Sequence, residues 1–199
     1  MDINRNILLA KKYLVESIYR SANLEGALVN YPETQVICDG NVVNDVSEDN
    51  LNLILGIKDS WNWVFNNIDC EIDCDCLINV NIKICRISNL YAETFPNLIA
   101  DKDILNSKIN QLTKDKSLEN ALSIFCYLMK ARLFDEGNIA TAIVFANMYM
   151  IQNGLGILSI PVERKLEFFN LLTEYRENDS NGEDLDEFVK KYCLTGSGC

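Results

Sequence analysis

The feature that most constrains this 199-residue chain is a strongly apolar stretch from about Ile139 to Gln152, entered through a tight Glu136-Gly137-Asn138 turn and closed by Asn153-Gly154. Its length and patterning are those of a strongly apolar helix. The remaining hydrophobic spacing reads as further helices. Ile7, Ala10, Leu14 and Ile18 form one stripe, ending at Leu24-Glu25-Gly26, where Gly26 suits a C-terminal cap with positive φ. A looser stretch is expected through Asn30–Thr34, and Asp39-Gly40 suits either a hairpin turn or the end of a short helix. Ser47 and Ser117 read as N-caps of helices that carry Ile54, Ile57, Trp61 and Val64, and Ala121, Ile124, Phe125, Leu128 and Met129. Leu77–Leu90 is apolar, Ile104–Leu112 is a shorter helix, Leu155–Ile160 is an extended link, and Pro161 suits a helix first turn. A last amphipathic helix ends near Cys193, and the tail 195–199 is expected to be flexible. The expectation is one mainly α domain over residues 1–199.

Charge and residue usage narrow the function classes. The formal net charge is −11, which repels phosphate backbones, so nucleic-acid binding is not expected, although a nucleotide can still use a local site. No apolar run approaches the roughly 18 residues of a membrane span, and Met1–Arg5 does not begin a secretory signal, so a cytoplasmic location is the expectation. The chain has no histidine, which removes imidazole bases and histidine–metal chemistry. Its eight cysteines read mainly as small apolar residues. Cys70, Cys74, Cys76 and Cys85 cluster among Glu71, Asp73 and Asp75, but the spacing is irregular for zinc, and packing is the reading preferred to metal or redox roles. Trp61 and Trp63, two residues apart, cannot both face the core from one helix.

Local physics singles out Phe134–Asn138. The apolar helix points its free N–H groups and positive dipole end into the Gly137 turn, an arrangement that can hold phosphate or carboxylate. Glu136 beside it could hold Mg²⁺ next to a phosphate. On local grounds alone the pattern is weak, and a plain αα corner with Gly in the turn and an acidic first turn is the preferred reading.

The wider sequence resembles the Fic (Fido) family. Arg132-Leu133-Phe134-Asp135-Glu136-Gly137-Asn138-Ile139-Ala140-Thr141-Ala142-Ile143 is similar to the signature H-x-F-x-[D/E]-G-N-G-R-x-x-R, matching at Phe134, Glu136, Gly137 and Asn138. The following helix with Ala146-Asn147, the Asn153–Glu163 segment and the aromatics Phe168, Phe169 and Tyr175 also resemble the family. Upstream, Ser21-Ala22-Asn23-Leu24-Glu25-Gly26 is similar to the family's inhibitory motif [S/T]-x-x-x-E-[G/N], with Glu33-Thr34 following at a typical spacing.

The resemblance implies a mainly α Fido helical bundle with room for a small β-hairpin, and residues 1–26 packed on the core as an inhibitory-helix-like segment. It also implies AMP transfer from ATP to a protein hydroxyl, with ATP and Mg²⁺ as cofactors and a target protein or another Fic protein as partner. Residue by residue, Glu136 would take the metal, and Gly137, Asn138 and Ile139 would line the phosphates. Ser21, Glu25 and Gly26 would form the inhibitory motif. The chemistry-bearing positions depart from the pattern. Arg132 stands at the histidine position and stays protonated, so it is no base. Ile139 replaces the second glycine, and Ala140 and Ile143 replace the two arginines. Losing a general base alone typically costs about 10²–10⁴ in rate. Three readings follow: an inactive or weakly anion-binding relative, a transferase with a non-standard site around Glu136, or an interaction module that regulates another Fic protein. With Ile143 opposite Glu25, the family's ion pair cannot form, and Arg132 is the candidate replacement cation for Glu25 or a bound anion. Phe95-Pro96-Asn97-Leu98 lies where relatives carry a target-docking flap, and no hairpin pattern is visible there.

Overall fold

The structure, a computed structural model, describes residues 1–86, 100–177 and 182–197. In chain order the helices are α1 (Ile3–Lys12), α2 (Leu14–Leu24), α3 (Tyr31–Cys38), α4 (Glu48–Asn66), α5 (Cys74–Ile84), α6 (Lys102–Leu112), α7 (Leu118–Ala131), α8 (Asn138–Gln152), α9 (Lys165–Glu177) and α10 (Glu183–Tyr192). Two short strands, β1 (Ile157–Leu158) and β2 (Leu194–Thr195), pair antiparallel.

The apolar stretch becomes α8, and every residue from Ala140 to Ile151 is buried. Helices α1, α2, α4, α5 and α7 all pack on it. Its one fully buried amide side chain, Asn147, does not waste its polarity. Its Nδ2 donates to the carbonyls of Ile143 and Leu158, and its Oδ1 accepts from the Leu158 N–H, each at 2.8 Å. This joins α8 to β1. At the far end of α8, buried Asn6 donates to the carbonyls of Met150 and Gly156 at 3.1 and 2.9 Å, which ties α1 to the core.

Local chemistry sets the helix starts. Ser47 and Ser117 cap α4 and α7 by accepting from the N–H groups of Asn50 and Asn120. Gly26 does adopt φ +105° beyond the end of α2. Trp61 is fully buried while Trp63 is half-buried at the core's edge, as their spacing requires.

Several details differ from the sequence expectation. The first stripe is two helices, because Tyr13 (φ −99°, ψ 12°) leaves helical geometry between α1 and α2. Asn30–Thr34 is not a loose stretch. Asn30 and Glu33 form a reciprocal capping box with Pro32 in the first turn, so α3 begins there and ends at Asp39-Gly40. Pro161 precedes a single 3₁₀ turn (Val162–Arg164) as its cap rather than entering the helix. The small β element is no hairpin: its strands lie far apart in sequence, and Thr195, expected in a flexible tail, pairs with Ile157. The flap position at Phe95–Leu98 lies outside the described residues. No helix among the described residues is long and apolar enough to cross a membrane.

Candidate anion site at the start of helix α8

The turn between α7 and α8 is built by three residues, Arg132, Asn138 and Gly137. Arg132 ends α7 in left-handed geometry, φ +46°, which sends Leu133 and Phe134 into the core and leaves the arginine exposed at the rim. Asn138 closes the loop: its Oδ1 accepts from the Phe134 N–H at 3.0 Å, and its Nδ2 donates to the Phe134 carbonyl at 2.6 Å. Asn138 therefore shapes the turn from inside. Gly137 takes φ +69°, and a Cβ there would come within 3.0 Å of the Ile84 side chain.

From below, Asn81 of α5 holds the turn in place. It is fully buried, and its Nδ2 donates to the Glu136 carbonyl at 2.9 Å and to the Thr141 hydroxyl at 3.0 Å. Nothing in the resemblance marks Asn81; it is one of two amides on α5, and it is the buried one, whereas Asn79 bonds only its own helix at the Asp75 carbonyl. Cys85 lies beside it, its Sγ 3.8 Å from the Glu136 carbonyl. Burial, reinforced by Glu136 and Glu25, pushes its thiol up to about 12, so it is a packing thiol at neutral pH.

The inhibitory-motif glutamate reaches the helix end itself. Glu25 Oε1 accepts from the Ala140 N–H at 2.7 Å, across 115 positions of sequence. The Ile139 N–H also acts on it. A carboxylate thus occupies the place where the dipole and free amides of α8 favour an anion. Ser21 is buried in α2 behind it, and Gly26 is exposed. The end of α2 is clamped from α9, where the Lys165 ammonium donates to the Asn23 carbonyl.

Glu25 lines a cavity of about 280 Å³ together with Arg132, Glu136, Gly137, Ile139, Phe169 and Arg176. Arg132 faces this cavity and its charge acts on Glu25, yet no ion pair joins them among the described residues. The direct partner of Glu25 is backbone, not a cation. Arg176, absent from every motif reading, sits on α9 with its Nε and Nη2 donating to the Met129 carbonyl at 3.1 and 2.6 Å.

Burial raises the Glu25 carboxyl above its ordinary value of 4.5, outweighing the two backbone N–H groups and Arg132, and Glu136 adds to the rise. A carboxyl whose folded value is raised stabilises the fold most when protonated. Its contribution is fully present below the unfolded value and is lost as pH climbs through the raised folded value. Stability of the wild type relative to Glu25→Gln is therefore expected to improve as pH falls from neutral towards the ordinary carboxyl value of 4.5 in denaturant titrations. A flat difference, or one of opposite slope, contradicts this.

The two arginine positions of the signature are not merely changed. Ala140 and Ile143 are 0 % and 1 % exposed, part of the core around α8. Glu136 keeps an exposed side chain while its carbonyl serves Asn81. Among the described residues, no three His, Cys, Asp or Glu side chains are grouped to hold a metal. The cysteine cluster disperses. Cys74 and Cys76 are buried, Cys70 is exposed on the preceding loop, and Cys85 lies apart at the Gly137 turn. The Cys76 thiol donates to the Glu71 carbonyl at 2.8 Å.

No family sequence model matches the chain, and no curated protein matches it by sequence. Solved structures do. A Fic-domain-containing signaling protein from Bacteroides thetaiotaomicron superposes with a TM-score of 0.71 at 15 % identity, covering 92 % of this chain and 82 % of that one. A Fic-1 fragment from C. elegans superposes with a TM-score of 0.65 at 18 % identity, covering 92 % of this chain and 59 % of that one. A Glu→Gly variant of that fragment gives 0.69 at 17 % identity, covering 91 % and 61 %. The chain thus spans about three fifths of the C. elegans fragment.

Proposed function

We infer that this chain, which has the fold of Fic-domain proteins, is a catalytically silent version of that domain, whose phosphate-favouring helix end is closed by its own Glu25. The observation that carries this reading is the 2.7 Å hydrogen bond from the Ala140 N–H to the Glu25 carboxylate. In AMP transfer as the resemblance implies it, that helix end would cradle phosphate, two arginines would neutralise it and a histidine would deprotonate the target hydroxyl. Here the carboxylate stands in the anion's place, Ala140 and Ile143 are core residues, and the base position holds a permanent cation.

The residues present do not fit ATP and its magnesium held in that manner. The cavity is lined by the carboxylates of Glu25 and Glu136, and α8 contributes no cation to it; its arginines, Arg132 and Arg176, come from the end of α7 and from α9 instead. Charge stabilisation is the largest part of phosphoryl-transfer catalysis, and α8 lacks the two arginines that would supply it in the family pattern. The fold and the turn's shape are retained, so binding rather than turnover is the activity assigned. The partner in this reading is another protein, either a former target or an active Fic protein that this chain regulates.

Isothermal titration of the purified chain with ATP and Mg²⁺ tests the closure. The wild type is expected to show no saturable heat up to millimolar nucleotide. Stoichiometric binding at low micromolar ATP would overturn the reading.

A further inference from the structure

Away from the Gly137 turn, the loop leading into α5 brings together two free thiols of unlike exposure. Cys70 is exposed and Cys76 is buried, with residues 71–75 between them. The Cys76 Sγ donates to the Glu71 carbonyl at 2.8 Å, so the buried sulfur lies against the residue that follows Cys70. From the Cys70 Cα to that carbonyl oxygen the chain spans at most roughly 6.5 Å. The Cys70 thiol makes a long contact, 3.8 Å, with the Asn67 Oδ1, and Cys70 lines a cavity of about 350 Å³ beside Lys116, Tyr149 and Gln152. The backbone on both sides of it is held. Gln152 donates through Nε2 to the carbonyls of Ile68 and Cys70, each at 2.7 Å, and Ile72 is buried. Asp73 caps α5, its Oδ1 accepting from the Cys76 N–H at 2.7 Å, and its carboxylate also acts on the Cys76 thiol. Burial, then Asp73, with a further contribution from Cys70, pushes that thiol up to about 12, so it stays protonated at neutral pH. Cys74, the third thiol of the segment, is fully buried two positions away on the same helix and so faces another direction, its N–H bonded to the Asn106 Oδ1 at 2.7 Å.

We propose that Cys70 and Cys76 are a peroxide-responsive thiol pair, in which the exposed thiol takes the oxidant and the buried one resolves it into a disulfide. The oxidant is a hydroperoxide, written here as hydrogen peroxide. The Cys70 sulfur attacks one peroxide oxygen. An S–O bond forms, the O–O bond breaks, and the Cys70 proton leaves with the departing oxygen as water, giving a sulfenic acid. The Cys76 sulfur then attacks the Cys70 sulfur. The S–S bond forms, the S–O bond breaks, and the Cys76 proton, taken up by the Asp73 carboxylate, passes to the leaving hydroxide as a second water. The two sulfurs give up two electrons, and the peroxide is reduced to water. The bridge replaces the Cys76–Glu71 hydrogen bond in the first turn of α5, the helix whose Asn81 holds the Glu136 carbonyl. The pair is independent of catalytic silence, which concerns other residues.

The test is hydrogen peroxide treatment of the reduced full chain, read by intact mass and by peptide mapping. Cleavage before Asp69, Asp73 and Asp75 puts Cys70, Cys74 and Cys76 on separate peptides, so the pairing is read directly. The wild type is expected to lose two hydrogens, with Cys70 joined to Cys76, and to regain them on reduction with dithiothreitol. Cys74→Ser is expected to form the same bridge at the wild-type rate. Cys76→Ser is expected to stop at a Cys70 sulfenic acid that dimedone traps. Should Cys76→Ser fail to fold, Cys70→Ser, at an exposed position, decides the matter: oxidation of Cys76 is expected to slow by roughly tenfold or more. Three results overturn the proposal: Cys70 bridged to Cys74 or to any other cysteine, Cys70 oxidised to sulfinic acid in the wild type without a bridge, or Cys76 oxidised as fast in Cys70→Ser as in the wild type.

Discussion

Truncating Phe145 to alanine is expected to lower the unfolding free energy by about 3–5 kcal/mol, measured by urea titration. Phe145 is fully buried at the middle of α8, inside an unbroken run of buried residues. Its loss removes transfer free energy and leaves a cavity lined by helices that cannot all close on it, because α8 touches five of them at once. A domain of this kind has about 5–15 kcal/mol in total, so the change consumes a large share. A cost under about 1 kcal/mol would mean that α8 is not the centre of the core.

Gly56→Ala is expected to cost about 3 kcal/mol or more, at the upper end of overpacking effects. A Cβ on Gly56 would stand 1.9 Å from the Ile84 carbonyl oxygen and 2.8 Å from its carbon. Both atoms are backbone, so no rotamer change relieves the clash, and α4 and α5 must move apart. That separation carries further than stability. Ile84 closes under Gly137, and Asn81, on the same helix, holds Glu136 and Thr141. Amide shifts at Ile139 and Ala140 are therefore expected to change along with the melting temperature. A variant as stable as the wild type, with those amides unmoved, contradicts the close approach of the two helices.

Much of this was legible in the chain. The strongly apolar run marked the helix that becomes α8, and the serine caps placed α4 and α7 because a side-chain oxygen before a helical stripe has few other uses. The turn was legible through Phe134, Gly137 and Asn138, each of which makes shape: a buried anchor, a positive φ and a loop-closing amide. What was not legible depends on long-range geometry. Glu25 was paired in sequence terms with Ile143 or Arg132, whereas its partner is a backbone N–H, a group every residue carries and no sequence displays. Arg176 and Asn81 act through positions set by α9 and α5, far from the motif. The break at Tyr13 and the β1–β2 pair were missed for a similar reason: tertiary packing overrides a continuous stripe, and two-residue strands carry almost no periodicity.

In the proposed reading the site has lost its chemistry and is not merely blocked by Glu25, and one measurement separates these. Glu25→Gly opens the helix end while leaving Ala140, Ile143 and Arg132 as they are. Incubated with α-labelled ATP, Mg²⁺ and a cell lysate, both the wild type and Glu25→Gly are expected to leave protein label at the level of a no-enzyme control. Label transfer that appears on opening, and disappears again with Glu136→Ala, would contradict the account.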